Sequence, residues 1–261
     1  MEIRVDNKVL LVTGSVQGLG RAIAIEAARS GAEAIILTDH PSKRGDEVLA
    51  ELNKLGTNAA FVPADLMDQD TPAKLVAAAV EKFGRLDGLV NAAGLSDRGS
   101  VATVDPALFD RLFTVNTRAP MFLMQALIQH LQERKAPGVI VNVLSFQAHG
   151  AAVNLAIYGA TKAALSLLTK NAAFAHRMDR IRIFGINLGW ADTDGEREMQ
   201  AVKLGRGESW LSEAEARMSW GRLIKPEDVA SLTLFLLSDI SIPMSGALID
   251  QVQDAVLGVR D

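Results

Sequence analysis

Cysteine is absent from the 261 residues, so the chain can form neither disulfides nor thiolate metal sites. Histidine occurs only at His40, His130, His149 and His176, without ligand spacing, and no metal is expected. Basic residues are in no excess: 27 Lys and Arg stand against 31 Asp and Glu. Scattered among the acids, they leave no electrostatic footprint for nucleic acid or an anionic membrane, and neither partner is expected. No apolar run approaches the ~18 residues needed to cross a bilayer. The amino terminus also lacks the apolar core of a secretory signal, which makes a cytoplasmic protein the expectation. Aromatic residues are sparse at 5%, and tyrosine occurs once, at Tyr158. What is plentiful is hydrophobic content, 49%, ample for the core of one large α/β domain.

The lone tyrosine lies in the most informative stretch. Ser145 closes an apolar run (Val139, Ile140, Val141, Val143) that reads as a buried strand, and Tyr158 follows, with Lys162 four residues beyond. Positions i and i+4 share a helix face, so phenol and ammonium project the same way. A phenol near pKa 10 is a poor base at neutral pH, and a nearby cation favours its ionised form. Lowering that pKa by about three units takes roughly 4 kcal/mol, within reach of one close Lys plus a positively charged nicotinamide. Tyr158 could then exchange a proton with an alcohol or ketone whose oxygen is held by the Ser145 hydroxyl. With 27 basic residues in 261, chance places one at i+4 from a tyrosine about one time in ten. The pair therefore carries weight only beside a dinucleotide site.

Such a site is written at the start of the chain. Lys8 to Val12 reads as a strand, Thr13 to Gly20 (Thr-Gly-Ser-Val-Gln-Gly-Leu-Gly) as a tight turn, and the residues to Arg29 as a helix. Glycines there let the backbone approach a pyrophosphate, whose charge meets the amides of the helix start. A second strand, Ala34 to Leu37, ends in Thr38-Asp39, and an acid at that point suits a ribose diol. Its carboxylate would repel a 2′-phosphate, and Gln17 brings no positive charge, so NAD is favoured over NADP. His40, Lys43 and Arg44 lie close by and read as a solvated helix start.

The alternation continues with a helix at 42–55, a strand at 59–62, Asp65-Leu66, a helix at 72–83 and a strand at 88–90. After the turn Asn91-Ala92-Ala93-Gly94 come one long helix at 106–133, the strand ending at Ser145, a helix at 157–178 and a strand at 181–186. This order predicts a single-domain doubly wound parallel sheet with helices on both faces, spanning residues 1–261. Pro120 has no amide to give the Asn116 carbonyl four residues back. That carbonyl is then either part of a kink or free to hold a water near Lys162. From 189 to 224 there is no strand signal, only short helical pieces at 196–204 and 212–218. A connection of this length often serves as a lid. It holds all three tryptophans, Trp190, Trp210 and Trp220, which either face a substrate or anchor the lid to the domain or a partner. Lys225-Pro226-Glu227-Asp228 opens a helix to Leu237, and 247–250 is the last strand.

With these pieces placed, the chain resembles the short-chain dehydrogenase/reductase family over essentially its whole length. The resemblance rests on TGxxxGxG at Thr13 to Gly20, Asp65, NxAG at Asn91 to Gly94, Asn116, Ser145, YxxxK at Tyr158 and Lys162, and Gly189 leading to Thr193. It implies a nicotinamide cofactor and a Rossmann-like fold. Tyr158 would transfer the proton, Ser145 orient the substrate oxygen, Lys162 hold the nicotinamide ribose and Asn116 a relay water. Cofactor contacts would fall at Gly14, Ser15, Gln17, Gly18, Leu19, Asp39, His40, Asp65, Leu66, Asn91, Ala92, Ala93, Tyr158, Lys162, Gly189 and Thr193. Leu188 stands where the family usually has proline, Ala92 replaces a common asparagine, and Asp250-Gln251-Val252 replaces a frequent Asp-Gly-Gly. None removes a catalytic group. Many relatives are tetramers, and a homo-oligomer, tetramer or dimer, is expected.

The residues expected to rim the substrate pocket, Ser96, Asp97, Arg98, Gln147, His149, Asn154 and Trp190, are mostly polar. They favour a hydroxylated small molecule, a sugar, sugar acid or polyol, oxidised with NAD. The rival readings are an NADPH-dependent carbonyl or acyl-carrier reductase and a dinucleotide-binding regulatory protein without turnover.

Overall fold

In the computed structural model, which describes residues 2–253 and 255, the apolar runs become seven parallel strands. These are β1 Val9–Thr13, β2 Ala34–Thr38, β3 Asn58–Phe61, β4 Gly88–Asn91, β5 Gly138–Val143, β6 Ile181–Leu188 and β7 Leu248–Gln251. They lie in the order β3-β2-β1-β4-β5-β6-β7. The chain builds outward from β1 to β3 and then returns to lay β4 against the other side of β1. That reversal opens a crevice beyond the carboxyl ends of β1 and β4, where a doubly wound sheet takes its ligand.

Successive strand residues face opposite sides. In β1, Leu10 and Val12 meet the layer formed by α1 Gly18–Arg29, α2 Lys43–Lys54 and α9 Pro226–Leu237, while Val9 and Leu11 meet α3 Thr71–Phe83, α5 Ala119–Arg134 and α6 Ala156–Ala175. All five β1 residues are buried, as a strand covered on both faces requires. No helix among the described residues is long and apolar enough to cross a membrane.

The expected single helix over 106–133 is divided. α4 Pro106–Phe113 passes into a π-helical turn, Thr114–Arg118, before α5 begins. The Ala119 amide reaches back five residues to the Thr114 carbonyl, which widens the helix just where Pro120 removes a donor. β5 also stops at Val143, two residues short of the expected end, and Ser145 instead caps a short turn by accepting from the Gln147 amide at 3.2 Å.

The connection after β6 contains α7 Asp194–Arg197, a π-helical turn Glu198–Lys203 and α8 Trp210–Glu215. Its base is closed by a parallel bridge between Ala191 and Ile224. Asp192, 5% exposed, binds both ends of the connection: it accepts from Arg197 Nε at 2.6 Å and Nη2 at 2.8 Å, and from Lys225 Nζ at 2.7 Å. The Arg197 hydrogen bonds, then Lys225, hold its carboxyl at about 2 against the opposing effect of burial. A depressed carboxylate stabilises the fold above its unfolded value of 3.8, and the contribution is lost as pH falls toward 2. Asp192→Asn is therefore expected to cost roughly 2 kcal/mol in denaturant unfolding at neutral pH, with the gap to the parent narrowing below about pH 4. An unchanged gap at acid pH would mean that the loss is packing rather than charge.

Candidate active site

The glycine turn is shaped by contacts that a side chain would block. Gly14 has φ +65°, and a Cβ there would sit 2.8 Å from the Ala93 Cα. A Cβ on Gly20 would lie 2.2 Å from the Gly14 carbonyl oxygen. The turn is thus folded tightly between the start of α1 and the segment after β4. Thr13 Oγ1 fastens it there, accepting from the Ala92 and Ala93 amides at 3.1 Å each.

The result is a cleft of about 480 Å³ lined by Gly14, Gln17, Gly18, Leu19, Asp39, His40, Asp65, Leu66, Ala92, Ala93 and Thr193. Eleven of the expected cofactor positions therefore meet in one place, at the switch point and against the amino end of α1. Such a cradle of bare backbone, with a carboxylate at its far end, fits a dinucleotide. Of the other five, Tyr158, Lys162 and Gly189 line the cleft beside it, and two line neither. Ser15 is buried and donates from Oγ to the Thr38 carbonyl at 3.2 Å. Asn91 is turned into the sheet, where Nδ2 donates to Asn142 Oδ1 at 2.8 Å. Both brace the strand ends instead.

A second cleft, about 650 Å³, adjoins the first through Leu19, Ala92, Gly94 and Thr193. Ser145, Tyr158 and Lys162 face it together with Gly189, Ser96, Gln147, Asn154 and Trp190. The Gln147 amide donates to the Ser145 oxygen, which leaves that hydroxyl's own hydrogen to donate toward Tyr158 or a bound substrate oxygen. Lys162 is buried, with Nζ donating to the Val143 carbonyl at 2.8 Å and standing 5.9 Å from the centre of the Tyr158 ring. The i+4 spacing thus brings phenol and amine side by side, as expected.

In the ligand-free chain both groups are held toward their neutral forms. Burial raises the Tyr158 pKa above its ordinary 10.0, the Ser145 hydroxyl opposes this, Glu196 raises it further and Arg98 lowers it. Lys162 does not acidify the phenol in the ligand-free chain. Burial acts on the amine too, pushing Lys162 down from 10.5 to about 8. Both groups therefore resist charging, and a further positive charge in the adjoining cleft is needed to draw the phenol down.

Asn116, fully buried, does not line either cleft. Its amide grips Leu95 twice, accepting from the amide and donating to the carbonyl at 2.8 Å each, and donates to Thr161 Oγ1 at 3.1 Å. The side chain is a clamp between the segment after β4 and α6, which leaves only the main-chain carbonyl for a water. His149 also turns away from the pocket. Its Nε2 lies 3.1 Å from Asn187 Nδ2 and 3.4 Å from Asp250 Oδ1, at the ends of β6 and β7. The pairing draws the ring toward those polar groups and out of the cleft.

Sequence reasoning missed residues that the connection after β6 brings in. Glu196, Gln200 and Arg206 face the second cleft, where Arg98 stands as expected, while Asp97 does not line it and pairs with Arg111 Nη2 at 3.2 Å. Glu196 Oε1 accepts from Trp190 Nε1 at 2.9 Å and Gln200 Nε2 at 2.5 Å, and pairs with Arg98 Nη2 at 3.4 Å. The i+4 spacing of Glu196 and Gln200 was the available signal. Trp210 is buried against Leu223 and Ala214, with its ring 6.1 Å from Trp190, so it anchors the connection. Trp220 is 80% exposed.

Comparison with known proteins agrees with the geometry. A family model described as enoyl-(acyl carrier protein) reductase matches residues 14–250. A short-chain dehydrogenase/reductase of a Cladobotryum species is 34% identical over 246 residues, covering 94% of each chain. An L-rhamnose 1-dehydrogenase (NAD(P)(+)) of a Sphingomonas species is 33% identical over 242 residues, 93% of each. Among solved structures, a putative short-chain alcohol dehydrogenase from Sinorhizobium meliloti superposes with a TM-score of 0.87 at 28% identity, covering 96% of both chains. A 3-oxoacyl (acyl-carrier-protein) reductase from Agrobacterium tumefaciens with NADP bound gives 0.86 at 25% identity, covering 95% of this chain and 94% of that one. The chain belongs to the short-chain dehydrogenase/reductase family, nicotinamide-dependent oxidoreductases that act on CH–OH and carbonyl groups.

Proposed function

We propose that the protein oxidises a secondary alcohol of a polyhydroxylated small molecule, a sugar, sugar acid or polyol, with NAD. The observation that carries this reading is the meeting of Ser145, Tyr158 and Lys162, with Ser96, Gln147 and Asn154, in a cleft of mixed polar and apolar lining beside a glycine cradle that ends in Asp39. When bound, the oxidised dinucleotide supplies a hydride acceptor and a positive charge. Ser145 Oγ–H donates to the substrate oxygen, and Tyr158 Oη takes the hydroxyl proton as the C–H hydride departs. Lys162 holds the ribose hydroxyls, and the Asn116 carbonyl keeps a water through which the proton leaves. The 189–224 connection covers the substrate from solvent as a lid. The chain works as a homo-oligomer, which would cover the exposed Leu167, Phe174 and Met178.

Asp39 supports NAD, because its carboxylate would face the 2′-phosphate of NADP. One observation favours the opposite preference and a reductase role: Arg44 donates to Gln17 Oε1 at the glycine turn, from where a guanidinium could pair with that phosphate. The purified protein is expected to prefer NAD at least tenfold in kcat/KM, and Asp39→Ser to move the ratio toward NADP by at least tenfold. A parent preference for NADPH, with ketones reduced faster than any sugar or polyol is oxidised, would replace this reading with the second.

A further inference from the structure

The substrate cleft carries a charge arrangement that the catalytic residues do not explain. Arg98, from the segment after β4, enters it with side-chain exposure of 17%, and Glu196, from α7, meets it with 14%. Two further donors, Trp190 Nε1 and Gln200 Nε2, converge on the same Glu196 oxygen. Glu196 Oε1 is thereby saturated, while no hydrogen bond from the described residues reaches its Oε2. Gln200 is 4% exposed, so its grip on Glu196 is formed away from water. Four side chains from two segments, Arg98 after β4 and the other three in the connection after β6, thus fix one carboxylate against one guanidinium.

We propose that Glu196 neutralises Arg98 so that the cleft selects a neutral, ring-shaped polyhydroxylated substrate over its carboxylate-bearing counterpart. The proposal rests on the polyhydroxylated-substrate reading above and narrows it. A free guanidinium at this depth would bind a substrate carboxylate in bidentate fashion. Paired with Glu196, it offers no net charge, and an incoming carboxylate would meet the Glu196 oxygens as well, a repulsive element of the kind that sets specificity. Hydroxyls suffer no such penalty: the unused Oε2 accepts from them and the remaining guanidinium hydrogens donate to them. Trp190, its indole nitrogen tied to Glu196, has only its ring left to present to the cleft, a platform for the apolar face of a sugar ring. Arg206 also borders the cleft but is exposed, and a solvated cation there adds little selection.

The test is kcat/KM over matched neutral and carboxylate-bearing alcohols: aldoses against their uronic acids, polyols against their aldonic acids, and simple hydroxyalkanes against hydroxyalkanoates. Thermal-shift titration with the same compounds in the presence of cofactor gives a readout separate from turnover. The parent is expected to favour neutral members at least tenfold. Glu196→Gln keeps the shape, frees Arg98, and should lower that ratio at least tenfold. The double variant Arg98→Gln with Glu196→Gln, neutral again, should regain the parent ratio, which general damage to the lid would not do. The proposal is overturned if the parent favours carboxylates, or if Glu196→Gln slows both classes equally and the double variant restores nothing. Turnover of simple neutral alcohols without any sugar or polyol would sink the polyhydroxylated-substrate reading but leave the charge selection standing. A preference for uronic or aldonic acids would do the reverse, and no turnover across the panel with either cofactor would overturn both.

Discussion

Tyr158→Phe is expected to lower kcat by at least about a thousandfold while changing the dissociation constant for NAD by less than about threefold. General acid–base groups contribute roughly 10²–10⁴ to rate, and no second side chain stands ready to take over. The nearest candidates are unsuited: the Ser145 hydroxyl remains unionised at neutral pH, and the Lys162 amine is committed to the Val143 carbonyl at 2.8 Å. Binding should survive because Tyr158 borders the substrate cleft but not the dinucleotide cleft around the glycine turn. Stopped-flow hydride transfer and fluorescence titration of the cofactor check the two halves separately. A variant that retains turnover within tenfold of the parent would remove Tyr158 from the mechanism.

Lys162→Met is expected to act in opposite directions on activity and stability. The buried ammonium has one hydrogen-bond acceptor, Val143 O, and its pKa falls from 10.5 to about 8 because burial disfavours its charge. Forcing it to remain protonated at neutral pH costs roughly 3 kcal/mol by that displacement, against about 1 kcal/mol for the bond to Val143. Methionine fills similar space without charge, so the ligand-free variant should be more stable by about 2 kcal/mol in denaturant unfolding. The sign of the pH dependence follows from the depressed pKa. Between about 8 and 10.5 the unfolded chain holds the proton that the folded chain has released, so the parent gains stability with rising pH across that window. The variant has no such group, and its advantage should vanish toward pH 10.5. Turnover should fall at least a hundredfold. Equal loss of stability and activity would mean that the ammonium is satisfied where it lies and that the site stores no such cost.

Much of this was legible in the sequence, for physical reasons that differ by element. The five inner strands announced themselves because strands buried on both faces are largely apolar, and the glycine turn because Gly14 and Gly20 sit where a Cβ would strike backbone. The helix over 106–133 was read whole because its composition is helical throughout. Pro120 was noticed, but the form of its consequence was not: a widened turn at Thr114–Arg118 closed by the Ala119 amide on the Thr114 carbonyl, inside which the Asn116 side chain is held by Leu95 and Thr161. His149 was misplaced for a similar reason. Nothing local distinguishes it from Gln147, and only the sheet brings Asn187 and Asp250 to its ring. Glu196 looked like an ordinary acidic first turn, since its partners Arg98 and Trp190 come from other segments. The acidified phenol was read for Tyr158 beside Lys162 and a bound nicotinamide; that burial raises its pKa in the ligand-free chain shows only in the fold, because spacing reports who stands beside the phenol and not how much water burial removes.

The central claim is that burial keeps Tyr158 protonated in the free protein and that only the cationic cofactor, beside Lys162, draws the proton off. Because this is the sole tyrosine, its phenolate absorbance can be titrated without interference from any other. The ligand-free protein should titrate above 10.0, and saturating oxidised NAD should lower the midpoint by at least about two pH units. A midpoint already below 10.0 without cofactor, or one that NAD leaves unmoved, would contradict the account.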